Sequence, residues 1–323
     1  MRHRKTILGL VGLFVVLTAT PVLAQPGLQK TTVTYRNIDG HGILADVYRP
    51  KGNAPCPLIV WFHGGALVMG NREWIIPQIR ALAEEKNFCL VSFDYRLAPE
   101  TKLPAIVGDV EAAFQWLASD AAKPFHFDLN RMVVAGNSAG AYLTLVAGYR
   151  VNPKPKAIVS LYGYGRLNTD WYAKPNLYPE FNTKKITSQE ATKQIGSAVI
   201  SDSRERSGDS EVIYTYYRQT GLWPQEVGGF DQVSMAEGLA PYEPAKHVTS
   251  AYPPTLLIHG TDDHDVPYEE SANMAAQFKK HDVPFILKTV DKAGHLLAGG
   301  EKNQIEDSYK TMRDFMIKYL GSN

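Results

Sequence analysis

Met132-Val133-Val134-Ala135-Gly136-Asn137-Ser138-Ala139-Gly140-Ala141-Tyr142-Leu143-Thr144-Leu145-Val146 is the stretch that decides the fold. A short apolar run of strand character enters a G-x-S-x-G turn and leaves it as a helix-like apolar segment, the strand, turn and helix order of a nucleophile elbow. So sharp a turn forces Ser138 into strained backbone geometry, and side chains two residues to either side would collide with neighbouring elements, hence Gly136 and Gly140. The Ser138 hydroxyl is then presented at a helix N-terminus, where the local positive potential favours developing negative charge.

The flanking sequence repeats the strand signal. Continuous apolar runs of strand length occur at 57–62, 89–93, 131–135, 156–161 and 254–259, with helix-like stretches between several of them. In one such stretch Val107, Val110, Phe114 and Leu117 recur at helical spacing and define an apolar face. Strands apolar throughout and separated by helices predict an α/β fold, a mostly parallel central sheet with helices on both faces. Ahead of it, residues 31–49 alternate apolar and polar side chains around Asp39-Gly40, the pattern of an antiparallel hairpin. From about 163 to 252 no strand signal recurs. That stretch is rich in aromatics (Tyr164, Trp171, Tyr172, Tyr178, Tyr214, Tyr216, Tyr217, Trp223), with helix-like pieces at 188–200 and 210–219. A structureless loop of such length is improbable in a compact domain, so an inserted, mainly helical cap subdomain is expected over 163–252, within a domain running from 25 to 323.

A serine hydroxyl needs a base, and the base an orienting carboxylate; in this architecture they follow the serine in the order acid, then histidine. The run Pro254–His259 leads into Gly260-Thr261-Asp262-Asp263-His264-Asp265-Val266-Pro267, and a later run, Phe285–Val290, leads into Ala293-Gly294-His295. Of the candidates His247, His259, His264, His281 and His295, only His295 combines this order with a loop after the last strand, where open α/β sheets place their ligands. Asp262, Asp263 and Asp265 compete for the acid, and spacing alone does not choose between neighbours on one turn. An attacked carbonyl would also need backbone N–H donors. Ala139, directly after the serine, is one expected donor; Gly64 and Gly65 of His63-Gly64-Gly65-Ala66 are the others, because glycine lets the backbone approach a substrate closely. His63 is expected to hold this loop by hydrogen bonds and to transfer no proton.

Taken together, His63–Ala66, Asp94-Tyr95-Arg96-Leu97-Ala98-Pro99-Glu100, Gly136–Gly140, His259-Gly260-Thr261-x-Asp263-x-x-Val266-Pro267 and Gly294-His295 resemble the α/β-hydrolase superfamily. The likeness is narrower to esterases similar to hormone-sensitive lipase and to the carbohydrate-ester hydrolases near them, and it covers most of 35–320. The resemblance implies Asp263 as the acid, a supporting role for the Asp94–Glu100 segment, and two-step acyl transfer through Ser138, His295 and Asp263 without metal or organic cofactor. Two departures bear on substrate. Ala66 replaces the third glycine of the H-G-G-G form, and the insertion after Leu161 is longer than usual. Aromatic rings suit sugar faces and aryl acyl groups, which makes small or polymeric carbohydrate esters of acetyl or feruloyl type the expected substrates. The same rings could instead form the insertion's own core. A peptidase or amidase of the prolyl-oligopeptidase kind is the alternative enzyme, disfavoured by the short segment before the sheet. A non-catalytic binding module on a hydrolase fold is the alternative outside catalysis, disfavoured because serine and histidine are both present in context.

Composition narrows the remaining classes. With 34 Lys+Arg against 33 Asp+Glu, nothing favours binding nucleic acid through a basic surface. Arg2, Arg4 and Lys5, the apolar run Ile7–Leu17 and Val22-Leu23-Ala24 form the basic, apolar, small-residue order of a signal peptide, cut after Ala24. Removing residues 1–24 takes away three basic and no acidic residues, leaving 31 against 33, a net charge of −2. The apolar run is short for a bilayer span, so a secreted or periplasmic protein without a stable membrane anchor is expected. An exported chain can form disulfides, and Cys56 and Cys89 are its only pair. Each begins a predicted strand; a bridge at one sheet end and two buried free thiols both stay open. Nothing in the sequence fixes the oligomeric state.

Overall fold

The computed structural model describes residues 27–321; the signal-peptide expectation over 1–24 lies outside them. Eight strands form one sheet: β1 Gln29–Ile38, β2 His41–Arg49, β3 Cys56–Phe62, β4 Cys89–Phe93, β5 Phe127–Asn137, β6 Ala157–Leu161, β7 Thr255–Gly260 and β8 Phe285–Val290. Their order across the sheet is β1-β2-β4-β3-β5-β6-β7-β8. The hairpin is antiparallel, β2 pairs antiparallel with β4, and every later pairing is parallel. The mostly parallel sheet expected from the apolar runs is therefore present, with an antiparallel hairpin at one edge.

The period-two pleat divides each central strand between two cores. Leu58, Val60 and Phe62 of β3 join a core on one face, while Ile59 and Trp61 join a second core on the other. Helices α2 (Leu103–Leu117) and α3 (Ala139–Arg150) cover the first face; α1 (Pro77–Lys86) and the C-terminal helix Lys302–Gly321 cover the second. All four apolar positions read from the sequence of α2 are buried.

Between β6 and β7 the chain runs through short helices: α4 Asp170–Ala173, α5 Ser188–Thr192, α6 Ser210–Thr220, α7 Trp223–Gly228 and α8 Met235–Leu239. After β7 come α9 (Glu269–Lys280) and, beyond β8, α10, the Lys302–Gly321 helix. The helix-like reading of 188–200 needs correction, since α5 ends after five residues. Thr187 and Glu190 start it with a reciprocal capping box, but Gly196 follows and its N–H is taken by Glu100 Oε1 at 3.1 Å instead of by a helical carbonyl. Of the insertion's aromatics, Tyr164, Tyr172, Tyr217 and Trp223 are buried and join the core on the sheet's first face, with Tyr172 stacked on Trp223 at 3.9 Å between centroids.

Cys56 and Cys89 are joined by a disulfide, their Cα atoms 5.7 Å apart. The parallel register of β3 and β4, with Leu58 opposite Cys89, brings the two strand starts to the same sheet end. Among the described residues no helix is long and apolar enough to cross a membrane.

Candidate active site

Ser138 directly follows β5 and caps α3 with φ 52° and ψ −121°, a positive φ that an ordinary residue adopts only under strain. The flanking glycines are required by contact. A Cβ at Gly140 would sit 2.0 Å from the Phe62 carbonyl oxygen, and one at Gly136 would sit 2.5 Å from the backbone of Gly140. The Ser138 N–H is tied to the Leu161 carbonyl at 2.9 Å, and the hydroxyl points toward the loop after β8.

There His295 Nε2 lies 3.0 Å from Ser138 Oγ, and His295 Nδ1 lies 2.7 Å from Asp263 Oδ2. Ser138, His295 and Asp263 thus form one hydrogen-bonded chain contributed by β5, the loop after β8 and the loop after β7. The acid's place is over-determined: Asp263 Oδ1 accepts the N–H groups of Asp265 and Val266 at 2.9 and 2.8 Å. Buried His259 adds a contact of 3.3 Å to Oδ2, while its own ring nitrogens reach Val266 O and Ser271 Oγ. Burial by itself would raise the Asp263 carboxyl, but the hydrogen bonds from His259 and His295 outweigh it and hold the group well below the usual carboxylate range. Burial would lower His295, yet the hydrogen bond to Asp263 and the charge of Asp265 prevail and its pKa is raised above the ordinary 6.5.

The other two acids on the turn go elsewhere. Asp262 is exposed and contacts His264 at 3.3 Å; Asp265 turns inward, with Oδ1 accepting from Tyr214 and Oδ2 3.7 Å from His295 Nε2. His264 bridges Glu180 and Asp262 on the surface, and His247 bonds the Ala240 carbonyl, so neither competes for the serine.

Across the site, the loop Gly64–Ala66 follows β3. None of the three backbone N–H groups has an acceptor among the described residues. Gly65 has φ +111°, and a Cβ there would lie 2.2 Å from the Met69 carbonyl oxygen. Ala139 is the first residue of α3, a position whose N–H has no partner within the helix. Gly64, Gly65 and Ala66 line the cavity, Ala139 follows the lining residue Ser138, and the N–H groups of all four are without an acceptor among the described residues. His63 is buried, stacks on Tyr95 at 4.3 Å, and places Nδ1 2.7 Å from the Gly64 carbonyl oxygen. Burial pushes its pKa down to about 4, so it is a neutral strut.

The loop is braced from both sides. Tyr95 donates to the His63 carbonyl at 2.9 Å, and the Ala98 N–H donates to the Leu67 carbonyl at 2.8 Å. From the insertion, Trp223 Nε1 donates to the Ala66 carbonyl at 3.0 Å. Buried Arg206 donates to Val68 O and Ala98 O at 2.8 and 2.9 Å and pairs with Glu100. Neither contact from the insertion has a sequence signal, because each partner lies more than a hundred residues away.

A cavity of about 370 Å³ opens on Ser138. Gly64–Ala66, Met69, Trp74, Leu296, Glu211, Tyr214, Thr215 and Asp265 are among its lining residues. Of the aromatics singled out in the insertion, Tyr214 alone lines it. Trp74, half-exposed at its mouth, lies outside the insertion.

A family model described as BD-FAE matches residues 45–278, well over half of the chain. Among curated relatives, the non-reducing polyketide synthase Preu6 of Preussia isomera is 26% identical over 92% of this chain, which spans 15% of that protein. The carboxylic ester hydrolase LipN of Mycobacterium tuberculosis is 38% identical over 38% of this chain and 34% of its own length. The chain thus corresponds to a small part of the curated relatives it matches. Among solved structures, an alpha/beta hydrolase superfamily protein from Enterococcus faecalis is similar with TM-score 0.68 and 20% identity, over 90% of this chain and 99% of that one. An acetyl ester-xyloside bifunctional hydrolase from Caldicellulosiruptor lactoaceticus gives 0.62 and 19%, over 90% and 96%. These likenesses establish the α/β-hydrolase fold.

Proposed function

The chain belongs to the BD-FAE family, and from that premise we propose that it is a serine hydrolase cleaving carboxylic esters through Ser138, His295 and Asp263. His295 Nε2 takes the Ser138 proton as the oxygen attacks the ester carbonyl, and the imidazolium that forms is held by Asp263. The amides of Ala139 and the Gly64–Ala66 loop receive the oxyanion. His295 then protonates the departing alcohol, and a water activated by the same imidazole releases the acid. The observation that carries the reading is the continuous chain from Ser138 Oγ through the imidazole to Asp263 at 3.0 and 2.7 Å, opening on one cavity.

The proposed substrates are short-acyl or aryl esters of carbohydrates. A cavity of about 370 Å³ suits a short acyl group and part of an alcohol better than a long chain. Half-exposed Trp74 offers a ring face at the mouth, and Glu211, Thr215 and Asp265 offer polar partners. The N-terminal basic, apolar and small-residue order supports export, where polysaccharide esters occur, and the Cys56–Cys89 bridge suits an oxidising compartment. The test is hydrolysis of p-nitrophenyl acetate by the purified chain and its loss in Ser138→Ala; turnover retained in that variant would sink the proposal. Acetylated xylan, methyl ferulate, long-chain p-nitrophenyl esters and a proline-containing peptide amide then rank the substrate classes.

A further inference from the structure

Asp265 is a carboxylate inside the cavity that the acyl-transfer chain does not use. Its Oδ1 is occupied: Tyr214 of α6 donates to it, and Arg218 Nε stands 3.6 Å away. Arg218 itself is locked, its side chain buried against Trp171, Tyr172 and Phe181 and its Nη2 donating to the Asp265 carbonyl at 3.1 Å. The carboxylate is thereby held in one orientation by two residues of the insertion. Asp265 lines the cavity, and its Oδ2 is left with no hydrogen-bond donor among the described residues and lies 3.7 Å from His295 Nε2.

That position has a chemical meaning once the reaction is laid over it. Nε2 is the atom that must hand its proton to the departing alcohol oxygen, so that oxygen comes within hydrogen-bond length of Nε2. The alcohol side of the ester therefore lies beside Asp265, whose Oδ2 is 3.7 Å from Nε2. A hydroxyl on the carbon next to the ester-bearing carbon, gauche to the departing oxygen, stands one hydrogen-bond length from that oxygen. Because Oδ2 is 3.7 Å from Nε2, such a hydroxyl can stand within hydrogen-bond length of Oδ2, where a fixed acceptor awaits a donor.

We propose that Asp265, oriented by Tyr214 and Arg218, is a specificity-determining residue that selects esters of alcohols carrying a vicinal hydroxyl, as in monoacylated sugars and polyols. The proposal rests on the serine-esterase reading and narrows its substrate class. A carboxylate acceptor left without its donor in a desolvated site disfavours the deoxy analogue, and charged hydrogen bonds of this kind discriminate by about 10-fold or more.

The experiment compares trans-2-hydroxycyclohexyl acetate with cyclohexyl acetate, two esters alike except for the vicinal hydroxyl. The full chain is expected to favour the hydroxylated ester by about 10-fold or more in kcat/KM. Asp265→Ala should bring the ratio to about one, and the near-isosteric Asp265→Asn should leave an intermediate value. Because the readout is a ratio within each variant, a general loss of activity does not imitate it. Competitive inhibition by trans-cyclohexane-1,2-diol against cyclohexanol, measured on the unaltered chain, reads the same preference without a chemical step. A ratio near one in the unaltered chain, or a preference unchanged in Asp265→Ala, overturns the proposal while leaving the esterase reading standing. Hydrolysis of neither ester nor of p-nitrophenyl acetate removes the esterase reading itself, and this inference with it.

Discussion

Replacing Arg206 by Met is the perturbation that most directly tests how the insertion supports the site. The Arg206 side chain is 1% exposed and its partner Glu100 2%. The guanidinium makes hydrogen bonds of 3.0 and 2.5 Å to Glu100 and donates to Val68 O, Ala98 O and Ser210 Oγ. Methionine preserves much of the volume and removes every donor. Among the described residues Glu100 then keeps only the Gly196 N–H at 3.1 Å, and two carbonyls beside the Gly64–Ala66 loop lose their donor. Breaking a buried pair by removing one member costs about 3–5 kcal/mol, chiefly because the other charge stays buried. At roughly 2–4 °C per kcal/mol for a domain near this size, the melting temperature should fall by on the order of 10 °C. The double variant Arg206→Met with Glu100→Gln removes the stranded charge and should melt above the single variant. Calorimetry on the four members of this cycle, with p-nitrophenyl acetate turnover measured at a temperature where all are folded, supplies the numbers. A single variant melting within about 2 °C of the parent, or a double variant melting below the single, would refute the reasoning.

Asp263→Asn should lower kcat on p-nitrophenyl acetate by about 10³–10⁴-fold, because the imidazole loses the partner that fixes its tautomer, whereas exposed Asp262→Asn should change it less than about 2-fold. In the pH profile of kcat/KM the working form of His295 is neutral; its pKa is raised, so the ring stays protonated to higher pH and the acid limb should fall above 6.5. Asp265→Asn removes one of the anions that raise it and should move that limb to lower pH; an unmoved limb counts against the assignment. Reducing the Cys56–Cys89 bridge, which closes a separation of 33 residues, should cost about 3–4 kcal/mol, read from the denaturant midpoint with and without reductant at equal m-value.

How far the sequence could be read depended on whether a feature is local. The elbow is local: the strain at Ser138 and the clashes awaiting any Cβ at 136 or 140 arise within a few residues and the strand beside them, so the glycines announce the turn. The parallel sheet was legible for the same reason, since burial on both faces leaves unbroken apolar runs. The acid was only partly legible. Asp262, Asp263 and Asp265 share one turn, and their fates differ by where the loop aims them: to solvent and His264, to His295, and to Tyr214. Only the family pattern pointed to Asp263, because spacing carries no information about side-chain direction on an irregular loop. The insertion was least legible where it matters most. Tyr164, Tyr172 and Trp223, which the sequence left open between ring faces for a sugar and core packing, are buried in the core on the sheet's first face. Besides Glu211 and Thr215, which line the cavity, the insertion's contacts with the site include Tyr214, Arg206, Arg218 and the Trp223 N–H, whose partners lie on distant loops. A side chain chosen to fit a partner brought near only by the fold leaves no periodicity and no spacing. The same property makes these four residues the ones whose exchange should retune the cavity without touching Ser138, His295 or Asp263.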